Sequence, residues 1–352
     1  MICCSECFSS NYIKDIINSN AQKGNCDFCG SKNVSIYNPE ELSLIIQNIL
    51  DLYDVDNKKG NEIIEQINLD FEGKIFSNKV LNNSSDLLKE IIKYDIDSYK
   101  ALFNNKVILA LKKQTEKQDI IKPLQITWDK FADEIKTTNR FHIQNIINLE
   151  KLEILIKRYR KPIKKGKLFY RARISQNIGL KKSEMYNPPP EKTKSGRANP
   201  IGISYLYLAD DVKTSLYEVR STLYDFVTVG IFRLKEDIDI INLRGDIYDP
   251  MLIADNDNIE DFLIHRPFIS KLEYELSKPK RRSDTELDYL PTQYLSEFIK
   301  SIGFDGVEYQ SSLYSNGYNL AIFNPEKFEC IKTKVYEIEK LNLECKELNI
   351  KK

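Results

Sequence analysis

Two different patterns of hydrophobic and polar residues divide the chain. Between Asn38 and about Arg160, apolar residues recur at helical spacing, which is typical of amphipathic helices that bury one face. The clearest stripe consists of Leu42, Ile45, Ile46, Ile49 and Tyr53. Predicted helices begin at Asn38-Pro39-Glu40-Glu41, at Ser85, at Thr127 and at Ile143, the last running to Leu155. We therefore expect an all-α region over residues 38–160.

Beyond Lys161 to Gly166 the pattern changes to alternation, and glycine and proline become more frequent. In Leu168 to Ile174, Phe169, Arg171 and Arg173 share one face of a predicted strand, opposite Tyr170 and Ala172. Further strands are predicted over Ser204–Ala209, Phe226–Leu234, Ile238–Leu243, Val307–Gln310 and Leu320–Phe323, with a helix over Pro291–Ile302 that ends at Gly303. Short strands mixed with few helices predict an α+β domain over residues 161–345. Residues 246–290 fit no repeating pattern and are expected to be an insertion.

The segment Gly196 to Arg220 combines several signals in the order GRANPIGISYLYLADDVKTSLYEVR. Arg197 lies in a predicted loop, and the strand that follows leads to Asp210 or Asp211, either of which can cap a helix. Glu218 then lies beside the apolar stripe of that helix. A carboxylate at the edge of a buried face requires a partner or a function, so Glu218 is a candidate functional residue.

Four cysteines at the start of the chain have metal-ligand spacing. Cys4 and Cys7 form one CxxC pair, and Cys26 and Cys29 form a second that is followed by a glycine. Two such pairs complete a tetrahedral zinc site, and four cysteine ligands make that site structural. We therefore predict a small zinc-binding knuckle over residues 1–37. Cys3 is an alternative to Cys4, and a redox pair is the lesser interpretation of the motif.

Composition excludes several classes of protein. The chain of 352 residues carries 52 basic and 52 acidic side chains, which argues against a protein that mainly coats nucleic acid or anionic membrane. No apolar run is long enough to cross a membrane, and the start lacks the pattern of a signal peptide. We therefore expect a cytoplasmic protein. Seven cysteines are too few and too clustered for a disulfide scaffold.

Three ordered blocks resemble the RES domain family: the Tyr170-Arg171 pair, the segment from Gly196 to Glu218, and GVEYQSS with a later asparagine. The resemblance covers about Lys167 to Phe328 and implies a domain similar in fold to ADP-ribosyltransferase toxins. The amino-terminal half resembles the zinc-containing helical segment, of the HEPN/RES type, that precedes RES domains in bacterial conflict-system proteins. Family members degrade NAD by hydrolysis or phosphorolysis, and many are toxins held by an antitoxin.

The resemblance implies Arg171, Glu218 and Ser311 as catalytic residues, with Ser312 as an alternative serine. Cleaving the bond between nicotinamide and ribose develops positive charge on the sugar, which a carboxylate such as Glu218 can stabilise. Guanidinium groups match phosphate oxygens, so Arg171 is assigned to phosphate. The remaining residues that we expect to bind the substrate are Arg197, Tyr207, Gln293 and Asn319. No histidine is placed to activate a serine nucleophile.

The function predicted from the sequence is an NAD-consuming toxin or anti-phage defence effector. Alternatives are an ADP-ribosyltransferase acting on a macromolecule and a non-enzymatic zinc/helical interaction module. Ribonuclease activity of the helical segment is disfavoured. HEPN ribonucleases have an arginine followed by a histidine four to six residues later, whereas Arg140 precedes His142 by only two residues. Arg197, Ser311 and Asn319 could form an anion pocket, so we lean towards phosphorolysis. Candidate partners besides NAD are inorganic phosphate, an antitoxin or regulatory protein, and a second copy of the chain. We also expect the helical half to restrain the domain.

Overall fold

The computed structural model describes residues 1–20, 22–111, 124–143, 148–245, 248–256, 259–279 and 285–341. The chain divides into two compact units. Unit 1 consists of Met1–Pro123 and Tyr248–Pro267, and unit 2 of Leu124–Ile247 and Phe268–Lys352. The boundary predicted near residues 161–166 lies inside unit 2. Within the described ranges, no helix has the length and apolar character needed to cross a membrane.

The first part of the chain forms short helices and very short strands. In order, they are β1 (Cys3–Cys4), α1 (Asn11–Ser19), β2 (Lys23–Gly24), β3 (Val34–Tyr37), α2 (Ser43–Leu50), β4 (Tyr53–Val55), α3 (Ile63–Asp70), α4 (Ser84–Ile91), α5 (Ile96–Asn104) and β5 (Val107–Leu109). Strands β1, β3 and β2 form a three-stranded sheet in that order, and β4 pairs with β5. The apolar stripe predicted for α2 is buried, from Leu42 at 1% exposed to Ile49 at 1% exposed.

Two predictions for this region need correction. The region is not all-α, because Tyr53 lies in β4, opposite Leu109 of β5, and not at the end of the α2 stripe. A tyrosine followed by Asp54 and Val55 suits a short strand as well as a helix end, and periodicity cannot separate the two.

The predicted cap at Asn38 is confirmed, since its side chain accepts a hydrogen bond from the Glu40 amide at 3.3 Å. The turn that it opens, however, is a 3-10 turn, Pro39–Leu42.

The rest of the chain supplies a large sheet and its flanking helices. In order, the elements are α6 (Leu124–Asp133), α7 (Leu149–Lys157), β6 (Arg160–Ile163), β7 (Leu168–Ser175), β8 (Leu206–Ala209), α8 (Val212–Glu218), β9 (Phe226–Leu234), β10 (Ile238–Leu243), α9 (Pro250–Asn256), α10 (Ile259–Ser277), α11 (Leu290–Ser301), β11 (Gly306–Gln310), β12 (Tyr318–Ile322) and β13 (Phe328–Glu337). Helix α9 and the first part of α10 belong to unit 1. A π turn, Glu134–Thr138, continues α6.

Eight strands of unit 2 form one mixed sheet in the order β13-β9-β7-β8-β12-β11-β10-β6. Strands β10 and β11 are parallel, and the other neighbours are antiparallel. Strand β7 contributes to a core on each face, as its alternation predicts: Phe169 packs in the larger cluster and Ala172 in the smaller. Helix α8 covers the smaller cluster with Val212 and Leu216, and Val219, which follows the helix, packs there too. This arrangement confirms the predicted α+β class.

The structure also corrects several boundaries in unit 2. Helix α6 begins at Leu124, before the predicted start at Thr127, and α7 begins after Asn148, whose side chain accepts from the Lys151 amide at 3.0 Å. The predicted start at Ile143 lies outside α7, and residues 144–147 lie outside the described ranges. Residues 246–290, which we expected to be an insertion without a repeating pattern, contain helices α9 and α10. Pro267 lies inside α10, and a proline normally marks the end of a helix.

Candidate active site

A cavity of about 300 Å³ lies where strands β7 and β8 diverge. These two strands pair through one residue couple, Tyr170 with Ala209, whereas β7 pairs along its whole length with β9. The gap between β7 and β8 is therefore not closed by a ladder of backbone hydrogen bonds. Its lining residues are Tyr170, Arg171, Ala172, Tyr207, Leu208, Ala209, Ser215, Glu218, Val219, Tyr309 and Asn319.

Helix α8 brings Glu218 to the cavity. Its start is fixed by Asp211, whose carboxylate accepts hydrogen bonds from the Thr214 amide at 2.9 Å and the Thr214 hydroxyl at 2.8 Å. Asp211, rather than Asp210, is thus the helix cap. Thr214 is fully buried, and a Cβ at Gly317 would collide with its hydroxyl. The helix therefore lies tightly against the loop that precedes β12, which places its last residue, Glu218, at the cavity.

Two side chains fix the carboxylate of Glu218. The Ser311 hydroxyl donates to Oε1 at 2.7 Å, and the Asn319 side-chain amide donates to the same oxygen at 2.8 Å. Both donors are buried, at 4% and 5% exposed, while Glu218 itself is exposed. Hydrogen bonds to a charged acceptor are strong and directional. The carboxylate is therefore oriented by one oxygen, and its other oxygen makes no hydrogen bond in the described part of the chain.

The loop after β11 distinguishes Ser311 from its neighbour Ser312. The Ser311 amide donates to the Gly317 carbonyl at 3.0 Å, and its hydroxyl accepts from the Tyr314 amide at 3.1 Å. Tyr314 stacks on Tyr217 of α8 with ring centroids 5.3 Å apart and planes 8° apart. Ser312 is exposed. The structure thus places Ser311, and not Ser312, against Glu218.

Arg171 lines the other side of the cavity with an incompletely satisfied guanidinium. Its Nη1 donates to the Tyr207 carbonyl at 2.9 Å across the gap between β7 and β8, while its Nε is buried without a hydrogen-bond partner. Among the described residues no carboxylate pairs with it. Burial, with repulsion from Arg173, lowers the pKa of Arg171 to about 10. A buried cation with an unused donor is a site for an anion.

A second network holds the loop before β8. The Tyr207 hydroxyl donates to the Asn199 side-chain oxygen at 2.7 Å. Asn199 is 3% exposed, and its amide nitrogen donates to the carbonyls of Lys194, Pro200 and Ile203. A Cβ at Gly196 would lie 2.4 Å from the Asn199 oxygen, so this position requires glycine. Tyr207 is thereby fixed at the cavity wall.

One family model spans all the residues that line this cavity. The RES domain model matches residues 168–343, half of the chain, and includes Arg171, Glu218 and Ser311. The chain belongs to the RES domain family. The model of HEPN/RES N-terminal domain 1 matches residues 19–148.

Other comparisons add a structural neighbour. In the crystal structure of the M. tuberculosis MbcT–MbcA toxin–antitoxin complex, one chain is 13% identical to this protein with a TM-score of 0.32. The similarity covers 54% of this protein and 94% of that chain. A search of curated proteins found no match.

Two residues predicted to bind the substrate of the RES domain lie outside the cavity wall. Arg197 donates to the Glu275 carbonyl at 3.1 Å, and its guanidinium lies 5.1 Å from the centre of the Tyr289 ring. The buried Gln293 amide donates to the Ser195 hydroxyl and the Gly196 carbonyl. Both side chains thus hold the loop that carries Asn199, whereas Arg171, Tyr207, Glu218 and Asn319 are brought together at the cavity.

Three residues of this site were not singled out from the sequence. Tyr170 and Tyr309 line the cavity, and Asn199 fixes Tyr207. Tyr170 precedes Arg171, and Tyr309 lies two residues before Ser311, so both fall in segments that the family resemblance marks. An alternating strand places residues two apart on the same face, and this spacing was the available signal for Tyr309.

The four predicted zinc ligands lie together in unit 1. Their sulfur atoms are all within 4.8 Å of one another, with Cys4 3.4 Å from Cys29 and Cys7 3.4 Å from Cys26. Bonds of about 2.3 Å to a tetrahedral zinc ion would separate the sulfurs by about 3.8 Å. The Cys3 thiol instead contacts the Tyr37 carbonyl at 3.5 Å. The four residues could therefore hold a metal ion, and the cluster includes Cys4 rather than Cys3.

Proposed function

We propose that this protein consumes NAD by cleaving the bond between nicotinamide and its ribose. One observation carries the proposal. The same cavity presents a buried guanidinium with an unused donor, Arg171, and an oriented carboxylate with a free oxygen, Glu218. The first suits a phosphate group, and the second suits a centre that becomes positively charged. NAD contains both features, a pyrophosphate and a scissile glycosidic carbon.

The reaction places few other demands on the protein. Nicotinamide leaves as a neutral molecule from a cationic substrate, so no acid is needed to protonate it. As the bond lengthens, the sugar acquires oxocarbenium character. The free oxygen of Glu218 stabilises that charge, and the bonds from Ser311 and Asn319 keep the carboxylate from turning away. Preorganised groups of this kind contribute about 10²- to 10³-fold each.

The size of the cavity limits how much of the substrate it encloses. At about 300 Å³ it is at the lower end of small-molecule pockets. We infer that it holds the nicotinamide riboside portion with its phosphate at Arg171, and that the adenosine portion lies outside. The aromatic ring of Tyr170, which lines the cavity, suits a planar ring of the substrate.

The phosphate pocket expected from the sequence gains no support from the contacts of its three residues. Ser311 and Asn319 both donate to Glu218, and Arg197 donates to the Glu275 carbonyl and lies against the Tyr289 ring. These contacts do not favour phosphate over water as the acceptor. The proposal therefore includes both water and inorganic phosphate as acceptors, and product analysis distinguishes them.

The test is to incubate the full chain with NAD and follow the release of nicotinamide. Plain ADP-ribose at a rate independent of phosphate indicates hydrolysis, and a phosphorylated ADP-ribose that requires phosphate indicates phosphorolysis. NAD labelled in its adenylate part would mark protein or nucleic acid if the enzyme were a transferase. A folded protein that releases no nicotinamide under any of these conditions would contradict the proposal and favour an interaction module.

We further propose that the activity makes the protein a toxin controlled by a partner such as an antitoxin. This rests on the family and on the consequence of the reaction, since loss of NAD stops metabolism. Inducing the full chain in cells should lower NAD and arrest growth. The Glu218→Gln variant, at matched expression, should do neither. Arrest by the inactive variant would show that toxicity has another cause.

We propose that zinc occupies the four-cysteine site of unit 1 and acts structurally. Cys4, Cys7, Cys26 and Cys29 would fill all four positions of a tetrahedral ion. The metal would then fix the three short strands around it, which are too small to have much core of their own.

A further inference from the structure

Tyr309 lies in the cavity wall on the side of strand β11. In β11 it lies opposite Asn319 of β12 on one side and Leu243 of β10 on the other. Residues opposite each other on neighbouring strands share a face of the sheet. Tyr309 is therefore next to the residue whose amide orients Glu218, and its side chain lines the same cavity.

The hydroxyl of Tyr309 has no partner in the part of the chain that the structure describes. It makes no hydrogen bond among the described residues, whereas the hydroxyl of Tyr207, also in the wall, donates to Asn199. Burial raises the pKa of Tyr309 well above its usual value, and the neighbouring Tyr207 and Glu218 raise it further. Tyr309 is thus a neutral phenol at physiological pH, with one proton to donate and an oxygen to accept.

The position of Tyr309 identifies the part of the substrate that it faces. In the sheet order β7-β8-β12-β11, strand β12 lies between Tyr309 and the strand that carries Arg171. Tyr309 is therefore on the side of the cavity where Asn319 holds Glu218, the group assigned to the scissile carbon. In a nucleotide that carbon belongs to the ribose. An unpaired hydroxyl in the wall of a cavity suits a neutral polar group, and the ribose offers its hydroxyls there.

We propose that Tyr309 is a specificity-determining residue that hydrogen-bonds a hydroxyl of the ribose attached to nicotinamide. This inference rests on the proposed cleavage of NAD and adds the group that recognises the sugar. Hydrogen bonds to sugar hydroxyls strengthen as the oxocarbenium character of the ring develops. A site that bonds a substrate hydroxyl also discriminates strongly against an analogue that lacks it. Tyr309 would therefore affect both turnover and the choice of substrate.

The decisive experiment compares Tyr309→Phe with the unchanged protein on NAD and on NAD analogues lacking the 2′ or the 3′ hydroxyl of the nicotinamide ribose. The unchanged protein should prefer NAD over one of the analogues by about 10- to 100-fold in kcat/KM. The variant should lose about the same factor on NAD and show little preference between NAD and that analogue. The two effects should be non-additive, because both remove the same hydrogen bond.

Tyr205→Phe is the matched control. Tyr205 is 2% exposed, and its hydroxyl is buried without a hydrogen-bond partner, but it packs on Phe323 outside the cavity wall. This control also removes one phenol oxygen, from a residue outside the cavity wall, and should leave both kcat/KM and the preference for NAD unchanged.

Two results would overturn the inference while leaving NAD cleavage intact. One is a Tyr309→Phe variant that cleaves NAD with unchanged kcat/KM and unchanged preference over both analogues. The other needs no variant: an active unchanged protein that accepts both analogues as well as NAD. If instead the unchanged protein releases no nicotinamide from NAD, the proposed function itself fails, and this inference fails with it.

Discussion

The cysteine cluster of unit 1 and the cavity of unit 2 are assembled in opposite ways. All four cysteines come from two short motifs between residues 4 and 29. The cavity instead takes residues from β7, β8, α8, β11 and β12, between residues 170 and 319. Spacing within a motif determines the first site, whereas strand order and register determine the second. A site built from one short segment can therefore be recognised from residue spacing. A site in a gap between strands can be recognised only when the fold is known.

Of the substitutions that test this comparison, one in the cysteine cluster is expected to have the largest effect on the protein. Cys4→Ser should reduce the zinc content from about one ion per chain to none and unfold the surrounding segment, since structural zinc contributes about 10 kcal/mol or more to such folds. Elemental analysis and circular dichroism measure the two effects.

Cys3→Ser is the matched control for that substitution. The Cys3 thiol contacts Tyr37 and lies outside the cluster, so this variant should keep its metal. If Cys4→Ser kept the metal while Cys3→Ser lost it, the first pair of ligands would be assigned in the wrong register. If neither variant of the purified protein held zinc, and the unchanged chain did not either, the metal site would be refuted.

The next largest effect is expected at the oriented carboxylate. Glu218→Gln preserves the shape and an oxygen that can accept from Ser311 and Asn319, but it removes the charge. Turnover should fall by about 10²- to 10³-fold, or roughly 3 to 4 kcal/mol, with little change in melting temperature. Nicotinamide release under saturating NAD measures this effect.

Glu326→Gln provides the control, because Glu326 is also exposed and lies far along the chain in the 3-10 turn before β13. It should retain full activity. A Glu218→Gln enzyme with normal turnover would show that the charge of Glu218 does not act on the sugar.

The sequence predicted where the inner strands of unit 2 lie along the chain, but it did not predict the strands at the two edges of the sheet. The strands Phe226–Leu234 and Ile238–Leu243 have the predicted bounds, because apolar runs are separated there by the charged Lys235, Glu236 and Asp237. The edge strands β6 and β13 were not predicted. In β6 a proline interrupts the run, which a strand tolerates only at an edge, and in β13 charged residues such as Lys332 and Lys334 face solvent.

The site was predicted as a set of residues but not as a geometry. The resemblance to the family supplied Arg171, Glu218, Ser311, Tyr207 and Asn319, and the structure brings them to one region. That Ser311 and Asn319 share one oxygen of Glu218 follows from the pairing of β11 with β12 and β12 with β8. No pattern along the chain encodes that pairing, so the sequence could not exclude Arg197 from the cavity wall.

Helix α6, which lies in the predicted helical segment, packs on helices that follow residue 161 along the chain. Trp128 and Phe131 of α6 pack on aromatic rings of unit 2: Trp128 lies 5.4 Å from Phe268, and Phe131 lies 5.5 Å from Tyr294. Such pairs join segments that are more than 130 residues apart. A change in composition near residue 161 marks the change from helix to strand, but it does not show where a compact unit ends.

A smaller effect is expected at Arg171. Replacing this residue should increase the stability of the protein and weaken its binding of the substrate. The group is charged in both the folded and unfolded states at neutral pH, but its folded-state pKa is lowered to about 10 by burial. The empty protein is therefore destabilised by this charge at every pH below about 10, and the penalty shrinks as the pH rises further. Arg171→Met should increase stability by about 1 to 3 kcal/mol between pH 6 and 9.

The same substitution should weaken the binding of ADP-ribose, which carries the pyrophosphate without the nicotinamide. Thermal unfolding with and without ADP-ribose measures both effects. Arg233→Met is the control, since Arg233 is an exposed arginine paired with Glu329 at 3.0 Å, and such pairs contribute about 1 kcal/mol or less. An Arg171→Met protein that is less stable and still binds ADP-ribose normally would contradict the assignment of Arg171 to phosphate.

The smallest effect is expected at Ser311. Its size shows whether this serine only orients Glu218 or takes part in bond cleavage. Ser311→Ala removes one of the two donors to Glu218 but leaves Asn319 in place. Losing one hydrogen bond to a charged group costs about 1.5 kcal/mol, so turnover should fall by about 10-fold. Ser312→Ala removes an exposed hydroxyl of the same loop and should leave turnover unchanged. If Ser311→Ala instead lost as much activity as Glu218→Gln with its fold intact, the serine would take part in bond cleavage directly. If the two serine variants behaved alike, the contact between Ser311 and Glu218 would have no role in turnover.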